Sequence, residues 1–136
     1  MTKIRKAILA IISSASVPLS AGTIHEQLAC TKEFSCDLAS VYRTLKYLEL
    51  EHYASSFIMH CDAHGTERYY YASSLTHTHW FHCRGCHRFF DIGKVVSHDN
   101  RCIVDATADS IQTQYGFIVE QHSLVFTGLC NGCKNV

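Results

Sequence analysis

Two Cys-x-x-Cys pairs constrain this chain more than any other feature: Cys83-Arg84-Gly85-Cys86 and Cys130-Asn131-Gly132-Cys133. Four thiolates surround one tetrahedral Zn2+ and leave no open position, so such a site builds a fold and performs no chemistry. The gap between the pairs is far wider than in a single zinc ribbon. The ion therefore ties the start of a small domain to its end. Disulfides or a thioredoxin-like redox pair are the competing uses of this spacing. A redox pair opens a helix after a strand, whereas Cys86 is followed by the strand-like run 88–92, so the first pair sits on a knuckle between strands. The spacing predicts structural zinc on Cys83, Cys86, Cys130 and Cys133.

The whole chain has 136 residues, with 12 Lys and Arg balanced by 12 Asp and Glu, which allows one or two small cores. No apolar run approaches the length needed to cross a bilayer. The opening basic residues and the short apolar run 7–12 imitate a signal peptide, but no clean cleavage site follows. A cytoplasmic protein with no membrane association is expected. In a reducing compartment, eight cysteines and ten histidines point to metal rather than disulfides. Zero net charge argues mildly against nucleic-acid binding. Yet Lys3, Arg5, Lys6, Lys32, Arg43 and Lys46 all lie in the first third.

Taken in order, the chain reads as α+β. Thr2 caps a helix to Ser13, with Ile4, Ile8, Ile11 and Ile12 at helical spacing. Ser20 caps a helix over 21–30. Ser35 or Asp37 caps a third through Leu50, with Leu38, Val41, Leu45 and Leu48 on one stripe. Segments 53–59 and 67–72 form a hairpin around a polar joint. Three helices and a hairpin make a winged helix whose third helix reads DNA. A boundary at 73–76 divides a domain 1–73 from a domain 74–136. The second holds strands at 79–82 and 88–92, a helix from about Asn100 to Tyr115 stopped by Gly116, and a strand over 117–126.

The third helix carries Ala39-Ser40-Val41-Tyr42-Arg43-Thr44-Leu45. With Cys83-x-x-Cys86, Tyr115-Gly116-Phe117, His122-Ser123-Leu124 and Gly128-Leu129-Cys130-x-x-Cys133, it closely resembles the ferric uptake regulator family over nearly the whole chain. The resemblance implies an N-terminal winged-helix DNA-binding domain and a small α/β dimerisation domain with the four-cysteine zinc site. It implies a homodimeric, metal-responsive repressor, zinc-uptake-regulator-like, that binds palindromic double-stranded operator DNA and controls metal homeostasis. DNA contacts are expected at Ser40, Tyr42, Arg43, Thr44 and Lys46. A tyrosine ring suits thymine methyls, and arginine suits phosphate or a guanine edge.

The resemblance further implies a regulatory divalent metal. Counting from the knuckle, the ligands of one family site fall on His77, His79, His98 and His122. An all-imidazole set favours Zn2+ over Fe2+, and Zn2+ is weakly preferred to Ni2+. A second family site, at the domain hinge, would fall on Val17, Tyr70, Thr78 and Trp80, which are poor donors, and Asp91 stands without partners. A peroxide sensor of the same family needs that hinge site and ranks lower. The wing run His60, Cys61, Asp62 and His64 forms a weaker cluster. Cys30, Cys36 and Cys102 read as small buried residues, and His25, His52, His82 and His87 as local polar contacts.

Two readings of other classes remain. A zinc hydrolase would pair three histidines with an open position for water. No glutamate is placed as an evident base, and the reading helix would go unexplained, so no enzymatic activity and no small-molecule substrate are expected. A zinc-stabilised dimerisation module without a DNA role is the other.

Overall fold

The computed structural model describes residues 1–73, 79–99 and 101–135. The chain divides into two compact units, 1–73 and 74–136.

The first unit begins with three helices: α1 (Lys3–Ser14), α2 (Ala21–Thr31) and α3 (Leu38–Leu50). Each starts on a side-chain cap. Thr2 accepts from the amide of Arg5, Ser20 from Thr23 and Asp37 from Ser40, so each polar residue satisfies an amide that the first turn leaves without a helical partner. The Asp37 carboxyl is held below its usual range by Ser40, first through its side chain and then through its amide. The short strand β1 (Leu19–Ser20) and the hairpin β2 (Ala54–Cys61) and β3 (Gly65–Ala72) form a sheet in the order β1-β3-β2. The hairpin is in register from Ala54 opposite Ala72 to Cys61 opposite Gly65. Ile8, Ile12, Ala21, Ile24, Leu28, Val41, Leu45, Leu48, Ala54 and Tyr70 close over one another as the core. This is a winged helix.

Helix α3 corrects two expectations. Leu38 is 39% exposed, whereas Thr44 is 7% exposed. Thr44 lies three residues after Val41 and four before Leu48, so helical geometry places it on the core face. Leu38 occupies the first turn, where the helix has not yet reached the core. Thr44 therefore leaves the set of residues available to DNA.

The second unit is built on β4 (Trp80–Cys83), the centre of a sheet ordered β5-β4-β8. Strand β5 (Phe89–Asp91) runs antiparallel to it and β8 (Val125–Gly128) runs parallel. Between them lie α4 (Gly93–Val96), a two-stranded ribbon of β6 (Ser97–His98) and β7 (Arg101–Cys102), and α5 (Asp105–Tyr115). Gly116 ends α5 at φ 70°, a left-handed conformation that glycine adopts without strain. Two further expectations change here. The helix starts at Asp105 and not near Asn100, because Arg101 and Cys102 pair with β6 instead. Of the strand expected over 117–126 only Val125 and Phe126 are in β8, which runs on to Gly128 in its pairing with β4.

Leu45→Ala is expected to destabilise the first unit by about 2–5 kcal/mol, whereas Leu38→Ala is expected to stay within about 0.5 kcal/mol of wild type. Urea denaturation of the two variants checks the contrast.

Candidate metal centre

Strands β4 and β8 run side by side in the same direction, from Trp80 opposite Val125 to Cys83 opposite Gly128. Their C-terminal ends therefore reach the same edge of the sheet, and each runs into a Cys-x-x-Cys turn. Cys83, Cys86, Cys130 and Cys133 converge there, all four sulfurs within 4.8 Å of one another. Four sulfurs at about 2.3 Å from one tetrahedral ion stand about 3.8 Å apart, and Cys86 Sγ lies 3.9 Å from Cys130 Sγ. The donor set and its spacing fit Zn2+.

The backbone is arranged for anionic sulfur. The amides of Gly85, Cys86 and Cys130 donate to Cys83 Sγ at 3.3, 3.4 and 3.3 Å. The amides of Cys86 and then Cys130 lead in holding the Cys83 thiol down at about 5, and the amide of Arg88 lowers Cys86. Cys133 is pushed the other way, to about 12, chiefly by its bond to Cys130 and then to Cys83. Four adjacent thiolates repel one another, and a divalent cation removes the conflict. Gly85 makes the approach possible: a Cβ there would sit 3.0 Å from Cys133 Cβ and 3.1 Å from its sulfur.

The other end of the same ladder carries imidazoles. His79 immediately precedes β4, and His122 lies just ahead of β8. Their Nε2 atoms are 3.2 Å apart. Cys102, on β7, joins them, its sulfur 3.1 Å from His79 Nε2 and 3.4 Å from His122 Nε2. His79, Cys102 and His122 form a group with the spacing of metal ligands.

Of the four expected regulatory ligands, the structure brings together His79 and His122. His77 lies outside the described residues. His98 is exposed and paired with Arg101 across the ribbon, away from this group. On the β6–β7 ribbon His98 and its partner Arg101 are exposed, and the neighbouring pair carries buried Cys102 to the two imidazoles, so Cys102 stands where the count from Cys86 expects His98. Cys102 is buried, as the sequence suggests, yet its neighbours are two imidazoles. The step from polar Arg101 to Cys102 is the one local sequence signal for it; burial of Cys102 beside an exposed Arg101 is the structure's.

The remaining candidates of the first unit make local contacts. Cys30 is exposed and Cys36 half-buried. His25 Nε2 donates to the carbonyl of Cys36 at 2.8 Å, a local polar contact. In the wing, His60 Nδ1 turns to Thr66 Oγ1 at 3.0 Å, while Cys61 Sγ lies 3.7 Å from His64 Nδ1.

On α3, Tyr42 is 46% exposed, and Arg43 and Lys46 are exposed. Arg43 Nη2 donates to Ser40 Oγ at 2.9 Å, which aligns the guanidinium along the outer face of the helix.

Residues 1–127 match the ferric uptake regulator family. The chain belongs to that family. Members of the family are metal-responsive transcription regulators and not enzymes. The solved structure of the Helicobacter pylori ferric uptake regulator, described as having three functional metal-binding sites, aligns over 97% of this chain and 82% of its own, at TM-score 0.67 and 19% identity. The Vibrio cholerae regulator aligns over 96% and 91%, at TM-score 0.66 and 21% identity. The Campylobacter jejuni peroxide stress regulator aligns over 93% and 99%, at TM-score 0.64 and 18% identity. These likenesses establish a shared fold. No curated protein matches the sequence.

His79 and Cys83 are four residues apart, about 13 Å along the strand, so loss of the ladder is expected to disturb both clusters. Cys83→Ser is expected to lose both the structural zinc and any second equivalent. His79→Ala is expected to keep one zinc per chain and lose the second. Elemental analysis after equilibrium dialysis against Zn2+ checks this order. Gly85→Ala, which crowds Cys133, is expected to release its zinc to a chelating dye about tenfold faster or more.

Proposed function

We propose that this protein is a transcriptional repressor that binds palindromic operator DNA as a homodimer when a divalent metal occupies the site at His79 and His122. The observation that carries the reading is the meeting of those two Nε2 atoms, 3.2 Å apart, at one end of the ladder whose other end gathers the four cysteines. One end holds the fold and the other is free to sense. Zn2+ is the proposed ion at both, ahead of Fe2+ and Ni2+, since nitrogen and sulfur donors suit a borderline cation.

Family membership supports DNA as the partner, and Tyr42, Arg43, Ser40 and Lys46 on α3 are the residues proposed to meet it. Arginine and tyrosine on the exposed face of such a helix reach base edges and phosphates in the major groove. A homodimer presents two such helices, and a palindromic site mirrors its two-fold axis. The second unit supplies surface for pairing: Phe117 and Ile118 are 61% and 85% exposed, and the Tyr115 ring stacks on Phe117. Large apolar side chains in that number mark an association surface. Metal acts by raising the share of molecules in the DNA-competent form, which sets the apparent affinity. The cytoplasm, where DNA and exchangeable metal meet, is the proposed compartment. No helix among the described residues is long and apolar enough to cross a membrane.

The test begins with in vitro selection of bound duplexes from a random pool in the presence of Zn2+. Gel-shift titration of a selected duplex is then expected to show binding that zinc strengthens by about 5- to 150-fold. His79→Ala should remove that dependence while keeping one zinc per chain. Arg43→Ala should weaken binding by about 1–3 kcal/mol with the zinc dependence intact. Undiminished zinc dependence in His79→Ala overturns the reading.

A further inference from the structure

We propose that Cys102 is a ligand of the regulatory metal alongside His79 and His122, which makes the sensor a thiolate site selective for Zn2+ over Fe2+ and Mn2+. This rests on the reading of His79 and His122 as the regulatory pair and deepens it. Nothing in the spacing of the family motifs leads to Cys102, since counting from the knuckle arrives at His98.

The geometry is that of ligands around one ion. With Zn–N near 2.0 Å and Zn–S near 2.3 Å, two nitrogens of a tetrahedral set stand about 3.3 Å apart, and a nitrogen and a sulfur about 3.5 Å. The structure has 3.2 Å between the two Nε2 atoms and 3.1 and 3.4 Å from them to Cys102 Sγ. The three donors come from three separate segments: the residue before β4, strand β7 and the segment before β8. Each directs its donor atom to one point.

Cys102 is held there by its own surroundings. It faces Ser97 across the ribbon, with the next pair, His98 and Arg101, turned outward. The Ile103 amide donates to Val96 O at 2.9 Å and extends the pairing past Cys102. The Cys102 amide donates to Asp105 Oδ2 at 3.2 Å, and Arg101 Nη2 donates to Asp109 Oδ2 at 3.4 Å, tying the ribbon to the first turns of α5. Asp105 is thus a positioning residue. His79 and Cys102 are 2% and 5% exposed, so the site is largely dry and its donors are fixed before the ion arrives.

A thiolate changes what the site accepts. Soft sulfur beside imidazole suits Zn2+ and its spectroscopic substitute Co2+, whereas Mn2+ and Fe2+ sit lower in the affinity order and take harder oxygen donors more readily.

The experiment uses full-length protein with zinc retained in the cysteine site, titrated with Co2+. With the four knuckle cysteines occupied, a near-ultraviolet sulfur-to-cobalt charge-transfer band on the added equivalent comes from Cys30, Cys36, Cys61 or Cys102, and its loss in Cys102→Ser but not in Cys61→Ser assigns it to Cys102. Wild type is expected to show the band together with the visible absorption of tetrahedral cobalt. Cys102→Ser is expected to lose the band and to bind Co2+ about 100-fold or more weakly, while keeping one zinc per chain as proof of folding. Cys102→Asp is expected to lose the band, retain a weaker site and narrow the preference for Zn2+ over Fe2+ in competition. Binding of the added Co2+ without the band, or with wild-type affinity in Cys102→Ser, overturns the proposal. So does failure of any second equivalent to bind. Gel shifts on the same samples separate the two readings. A sulfur band without metal-dependent DNA binding leaves Cys102 as ligand and removes the regulatory role. Metal-dependent DNA binding unaffected by Cys102→Ser does the reverse.

Discussion

The parallel pairing of β4 with β8 is the contact on which the second unit depends. Antiparallel neighbours are joined by a tight turn, but parallel neighbours need a long crossover. Here that crossover comprises the first knuckle, β5, α4, the β6–β7 ribbon and α5. Its closure is costly in chain entropy, and the apolar return is small: α5 contributes no buried residue. Four thiolates on one cation supply a closure energy that a core this small does not. A metal held by the four cysteines would therefore be part of the folding energetics of the unit.

The first unit is held differently. Its helices meet through a continuous apolar core, from Ile8 on α1 to Tyr70 on β3. Burial leaves the Tyr70 hydroxyl protonated to about 12. Nothing in this core calls for a metal. Polar chemistry is confined to its outside, where Arg68 donates to Ser56 and Ser56 to Glu49, and where the outer face of α3 carries Tyr42 and Arg43. The two halves thus differ in what closes them: a continuous apolar core in one, and in the other a small core beside four converging cysteines.

Much of this is legible in the sequence, for identifiable reasons. Caps at Thr2, Ser20 and Asp37 are local chemistry, and each helix begins where its cap predicts. The knuckles follow from spacing alone. What escapes a sequence reading is set by non-local pairing. Arg101 and Cys102 adjoin the helical run that begins at Asp105, yet pairing with Ser97 and His98 draws them into a ribbon. In the same ribbon His98 is exposed opposite Arg101, and Cys102 is the residue grouped with the imidazoles. Thr44 is misplaced because a polar residue on a helix reads as outward until the neighbouring elements are known. Phe117 and Ile118 carry the apolar signature of a paired strand, but they remain exposed. A pattern read from one chain does not tell a core face from an exposed apolar one.

The short run from His79 to Cys83 belongs to both ends of the ladder at once. Side chains alternate along a strand, so two residues four apart share a face. Inserting or deleting a single residue in this run would turn one donor to the opposite side and slide the whole strand past β8. Substitutions between the two donors are tolerable in principle, whereas any change in their number is not. The run is consequently a segment of fixed length, free to vary in composition but not in count. Length variation among relatives should then gather in the crossover, around the β6–β7 turn, where an added residue displaces no donor on β4.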